Sequence, residues 1–319
     1  MIKTMKALML REYWEHRGAF LKAPIIIGIV LLVISIGAYI TAIVLASKTS
    51  STEMAQMALN ELTQLSPEQL SFFWAGQMMS TSTLYLMVLF FVLFFFLLGS
   101  LFDDRKDQSI LFWKSLPISD ASTVLSKLIT AVILVPLLFT VIYIIVMVLL
   151  MLLASIALLF HGQNPWILVW QPASLILGAK TMLLAIFVQM LWALPIYGWL
   201  IFSSSISKRR PFLFAVFIPA IVAFSMYWMN VLTFQFSNTS MFKKPINHLG
   251  QSMFPYAAGL SNHRSFNFNM ANIEDGSQVD KIMNNMINSI LSTDILYGAV
   301  FCALMVSLAI WIRRYRNTT

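Results

Sequence analysis

Six apolar stretches, at about 24–46, 79–101, 128–160, 175–203, 212–234 and 294–312, constrain this chain more than anything else in it. Each exceeds the roughly 18 residues needed to cross the hydrocarbon core of a bilayer. Of the 319 residues, 59% are hydrophobic and only 11% charged. That surplus of apolar side chains cannot be enclosed in one soluble core, where about a quarter of residues are usually charged, so it must face lipid. The reading is an all-α integral membrane protein of six transmembrane helices. The third stretch is longer than a crossing requires, so that helix tilts, kinks near Pro136 or projects beyond the membrane. Pro136, Pro195 and Pro219 each remove a helix hydrogen bond, and are either tolerated bends or hinges for alternating access.

The net charge of +8 comes from 21 Lys and Arg against 13 Asp and Glu. Such a balance is also found in nucleic-acid binders, but here the bases sit beside the apolar stretches, and no nucleic-acid partner is expected. Fifteen of the 21 lie in four places: the N-terminal segment, the loop after the second stretch, the loop after the fourth and the C-terminal tail. These alternate with poorer loops, the positive-inside pattern, and put both termini in the cytoplasm. The first stretch is too long for a signal-peptide core and reads as a retained span. The lone cysteine, Cys302, excludes an internal disulfide and a zinc cluster.

Three segments outside the spans carry information. Residues 1–22 place Met5, Leu8, Met9 and Tyr13 at helical spacing among charges, an amphipathic helix at the inner membrane face that is either an anchor or a lever on the first span. In the cytoplasmic loop 102–127, residues 103–107 read as a solvated charged turn. Residues 109–116 then read as a short helix stopped at Pro117, with Ser119 or Asp120 capping the next. Ile110, Leu111, Phe112 and Trp113 are bulky for such a loop; they lie in the bilayer interface or dock into a partner's groove. The third segment, 235–293, is too long for a connector; its Val279, Ile282, Met283, Met286 and Ile290 follow helical spacing, and it reads as a small extracytoplasmic cap.

No Asp, Glu, Arg or His lies deep within the six stretches, which disfavours a proton- or ion-coupled transporter and an intramembrane protease. Gln189 is polar at mid-span and reads as a bridge between helices. Gly178-Ala179-Lys180-Thr181 lacks the glycine directly before the lysine of a phosphate loop, so no ATPase site is expected in this chain.

The stretch REYWEHRGAF at 11–20 and the loop DDRKDQSILFWKSLPISD at 103–120 resemble the type-2 ABC transporter permeases, and the six-span plan extends the resemblance over nearly the whole chain. The resemblance implies that residues 1–22, with Arg11, Glu12, Tyr13 and Trp14, form a connecting helix. It implies a coupling helix at Ser109, Ile110, Leu111, Phe112, Trp113, Lys114 and Leu116 that docks on a separate ABC ATPase subunit. That partner would hold ATP and Mg, a second permease subunit would complete the transporter, and residues 23–319 would be the permease domain of an exporter in the cytoplasmic membrane. No catalytic, cofactor or metal residue is assigned to this chain. The alternatives are a non-transport membrane protein, such as an assembly or immunity factor, and, less favoured, a secondary transporter.

Overall fold

The computed structural model describes residues 2–48, 63–107, 118–232, 240–256 and 277–315. Ten α-helices and three π-helical turns make up the described chain, with no strand among the described residues. The helices are α1 (Ile2–Arg17), α2 (Ala23–Lys48), α3 (Pro67–Lys106), α4 (Asp120–Ile129), α5 (Val135–Phe160), α6 (Leu175–Ile206), α7 (Pro211–Leu232), α8 (Ser240–Met253), α9 (Ser277–Ile290) and α10 (Thr293–Tyr315). Five helical stretches are long and apolar enough to cross a membrane: Lys3–Val44, Pro67–Lys106, Asp120–Phe160, Trp166–Ile206 and Thr293–Tyr315. The chain is an all-α, multi-pass membrane protein. In α7 the apolar stretch Pro211–Ser225 is shorter than these five.

Local sequence explains where the helices begin. Ser66 caps α3 by accepting from the Gln69 amide while Gln69 reaches back to the Ser66 amide, and Pro67 follows at the first helical position. Ser119 caps α4 and Ser174 caps α6 in the same manner, their hydroxyls accepting from the amides of Ser122 and Leu177. Three π-turns interrupt the long rods. The first, Gly18–Lys22, joins α1 to α2 just after His16, whose φ of −108° and ψ of 15° leave helical geometry. The second, Thr130–Leu134, precedes Pro136, which sits in the first turn of α5 where its missing amide hydrogen is tolerated. Of the tilt, kink or projection read for the third stretch, the structure has a widened turn just before Pro136. The third, Trp166–Trp170, leads towards α6.

α6 is the axis of the bundle. α3 runs parallel to it, with Met78 at Gly178 and Gln189 Nε2 donating to the Leu86 carbonyl at 2.8 Å. α10 runs parallel to its second half, where Gly198 faces Cys302 and Gly298 faces Pro195. A Cβ at Gly198 would lie 2.7 Å from the Cys302 Cα, so the absence of a side chain sets how closely these helices approach. The first half of α6 is flanked instead by α8 and α9. The Ser252 carbonyl on α8 accepts from Gln189, Tyr256 shares a 2.7 Å hydrogen bond with Ser82, and Val279 on α9 packs with Phe72, Ala75 and Leu177. Parts of the 235–293 segment thus fill space inside the bundle beside α3 and α6. The helical pattern read there is observed, with Val279, Ile282 and Met286 buried.

Candidate functional site at the end of the bundle shared by both chain ends

Four ionisable side chains are withdrawn from solvent at one end of the bundle: Glu12, Asp104, Lys127 and Arg313 are between 0% and 7% exposed. They come from four helices. Glu12 is one turn beyond Leu8 on the inward face of α1, Asp104 lies in the last turn of α3, Lys127 near the end of α4, and Arg313 in the last turn of α10.

Lys127 Nζ is the hub, donating to Glu12 at 3.1 Å and to Asp104 Oδ1 at 3.4 Å. Arg313 takes the other oxygen of Asp104, with Nη1 3.3 Å from Oδ2, and its Nε donates to Asp120 Oδ1 at 2.9 Å. Arg11 closes the ring by pairing with Glu12, with Glu15 at 3.7 Å and with Asp104 at 3.9 Å. A buried charge is tolerated only when paired and hydrogen-bonded. Here Arg11, Lys127 and Arg313 balance Glu12, Asp104 and Asp120. Glu12, Glu15 and His16 place possible metal-ligand atoms within 4.8 Å of one another, but Glu12 is already engaged by Lys127 and Arg11. The arrangement holds helices together; it offers neither a free nucleophile nor a free base.

A second set of contacts joins α3 to the end of α6. Arg105 donates through Nη1 to the Ser205 carbonyl at 2.6 Å, through Nη2 to Ser207 at 3.1 Å and also to Ser204. The Ser204 hydroxyl accepts from the amides of Leu101 and Phe102 at 3.0 and 2.9 Å. A guanidinium on the last carbonyls of a helix satisfies acceptors that lack intrahelical donors and complements the negative end of the helix dipole.

These contacts correct one expectation. Residues 103–107 are not a solvated turn: α3 continues through Lys106, Asp104 is buried and Arg105 is spent on α6. The reason is charge pairing supplied by distant segments. The N-terminal helix is present, but its Glu12 points into the bundle, while Trp14 on the opposite side is 62% exposed beneath the Arg17 guanidinium, 5.8 Å from the ring centre. Tyr13 packs at the edge of the core, with its ring 5.6 Å from that of Trp14. Ser109, Ile110, Leu111, Phe112, Trp113, Lys114 and Leu116 lie outside the described residues. The residues on either side of them, Asp104 and Arg105 before and Asp120 and Lys127 after, are the ones the two contact sets use. Sequence reading missed Asp104, Lys127 and Arg313 as a group; the available signal was a charge of each sign at the end of several apolar stretches.

Comparisons with protein-family models, with curated proteins and with solved structures gave no match. The fold and the charge cluster define a polytopic helical membrane protein whose helix ends are locked together on one side.

Proposed function

We propose that the chain is the permease subunit of an ATP-driven ABC exporter in the cytoplasmic membrane, working with a separate ABC ATPase and a second permease subunit. The observation that carries this reading is the position of the buried cluster. Asp104, Asp120 and Lys127 bracket the 108–117 segment, whose sequence resembles a coupling helix, and tie it to α1 and α10. A push on that segment by a partner reaches four helices through charge-assisted hydrogen bonds rather than through a loose loop.

The six-span plan is part of the proposal, and the direction of the helices supports it. α1 and α10 meet in one cluster, so the chain begins and ends on the same side. An even number of crossings satisfies this: the five long apolar stretches plus α7, which starts beside the end of α6, where the Trp199 indole donates to the Ala215 carbonyl at 2.9 Å. The basic loops assign that side to the cytoplasm, with 235–293 on the opposite side as a cap that partly enters the bundle.

The test is capture. The tagged chain, extracted in mild detergent, should bring down an ATP-binding-cassette ATPase, and the pair should hydrolyse ATP in lipid while the chain alone does not. Phe112→Ala and Trp113→Ala should weaken association roughly 30-fold, as loss of an anchor worth about 2 kcal/mol does. Full association by both variants at matched membrane levels, or ATP turnover by the isolated chain, would overturn the proposal.

A further inference from the structure

At the other end of the bundle a groove opens between α2, α3 and α5. Gln77 on its rim precedes Asp104 by 27 residues along α3, which places it about 40 Å from the charge cluster at a helical rise of 1.5 Å per residue. The groove has a volume of about 260 Å³, with walls that include Phe73, Met147, Met151 and Ala154. Trp74 forms part of the wall, and its indole N–H is fixed on the Leu168 carbonyl at 2.8 Å.

The polar groups at the groove decide what it can hold. Ser35, Tyr39 and Gln77 line it, and among the described residues no charged side chain does. Ser35 donates to the Leu31 carbonyl of its own helix, leaving only lone pairs. The Tyr39 hydroxyl and the Gln77 amide make no side-chain hydrogen bond to a described residue. The ring of Tyr39 stands edge-on to His161, 6.4 Å between centres, beside the end of α5, so its polar tip belongs to the outer part of the groove. Below it, Met147 and Met151 supply a flexible apolar floor that adapts to an irregular chain.

The groove also borders the lipid. Val33, Ile34, Ile36 and Ile40 on α2 and Leu149, Leu152 and Ile156 on α5 are exposed large apolar residues on the two helices that form its sides. Access is therefore lateral from the bilayer, and water-soluble ions are disfavoured occupants. We infer that this groove between α2, α3 and α5 is a binding site for a single-chain amphiphile with an uncharged head. The acyl chain lies on Met147, Met151 and Ala154, and a carbonyl or hydroxyl head meets Tyr39 and Gln77. A charged phosphate head finds no Lys or Arg among the described lining residues, and a saturated hydrocarbon leaves both polar groups unanswered. The inference does not rest on ATP-driven transport.

The experiment is photo-crosslinking of the full chain in nanodiscs with three diazirine probes carrying one acyl chain: a monoacylglycerol, a lyso-phosphatidylglycerol and a plain alkane. Labelled peptides are mapped by mass spectrometry. The monoacylglycerol probe should label 35–39, 73–77 and 147–157 preferentially. Ala154→Trp, which fills the groove, should lower that labelling about tenfold, the effect of about 1.4 kcal/mol. Ala154→Leu serves as the milder filling variant, and a monodisperse size-exclusion profile shows that each remains folded. Gln77→Leu should reduce the preference for the monoacylglycerol over the alkane about three- to tenfold, the loss of one hydrogen bond or two. Labelling spread evenly over the outer faces of α2 and α5, unmoved by either filling variant, would mean annular contact only and overturn the site. Equal labelling by the anionic probe would overturn the assignment of an uncharged head.

Discussion

Lys127→Met is the sharpest test of the buried cluster. The ammonium is 2% exposed and lies 3.1 Å from Glu12 and 3.4 Å from Asp104. At an effective dielectric near 20 each of these contacts has a gross attraction of about 5 kcal/mol. The desolvation of three ions opposes this at several kcal/mol per ion, so the pair sum is not the net contribution. What the substitution changes is balance: Asp104 keeps Arg313 and Arg11, but Glu12, fully buried, keeps only Arg11. Breaking a buried pair from one side typically destabilises by about 3–5 kcal/mol. The lower end applies here because Arg11 still compensates, which is about 150-fold in the folding equilibrium. Glu12→Leu alone should cost a similar amount by stranding Lys127 in part. The double variant should be less destabilised than the sum, with a coupling of about 1–3 kcal/mol. The assay is unfolding in mixed micelles followed by tryptophan fluorescence, with slopes compared to confirm that the same transition is measured. If both single variants cost under about 0.5 kcal/mol and add without coupling, the charges behave as a surface cluster, and the claim that they lock four helices fails.

Three further outcomes follow from the geometry. Arg105→Ala should lower stability by about 1.5–3 kcal/mol, since it removes charge-assisted hydrogen bonds to the end of α6, and Arg105→Lys should recover only part of it because the forked geometry is lost; thermal unfolding in detergent reads both. Gln189→Leu should cost about 1–3 kcal/mol by leaving the Leu86 and Ser252 carbonyls without this donor, and limited proteolysis between residues 240 and 256 should quicken as α8 loosens. Unchanged cleavage would argue that Gln189 does not hold α8. Gly198→Ala should cost about 1–3 kcal/mol by overpacking against Cys302, whereas the same change at Gly37, whose Cβ position has open space, should be near neutral; calorimetry or fluorescence on the matched pair checks the contrast.

Much of the fold was legible in the sequence because hydrophobic length is a local signal. The apolar stretches became helices, Ser119 is the cap of the two candidates read at 119–120, and Gln189 bridges helices as a polar residue at mid-span must. The charged end was not legible. Residues 103–107 look solvated because all five are charged, and burial of Asp104 depends on Glu12, Lys127 and Arg313, which are 92, 23 and 209 positions away. Local reading has no access to such partners. The π-turns were equally hidden, since a widened turn keeps the composition of a helix. The entry of α8 between α3 and α6 rests on a handful of hydrogen bonds from Gln189, Ser252, Tyr256 and Ser82, and nothing in the spacing of those residues announces it.

The π-turn at Gly18–Lys22 has a consequence for what this lineage can change. A π-turn carries one residue more than an α-turn over the same length, and each residue advances the helix by about 100°. The turn therefore sets the phase between α1 and α2. It lets Glu12 face the ionic cluster while Gly28, on the far side of the bend, faces Tyr85 and Val146. Were the same residues wound as an ordinary α-helix, one of those faces would swing away by about a quarter-turn; the π-turn absorbs the surplus residue and keeps both faces in place. Substitution at the exposed Ala19 or Lys22 is cheap in comparison, whereas Phe20 is fully buried against Phe96, and a further inserted residue would turn the two faces out of phase.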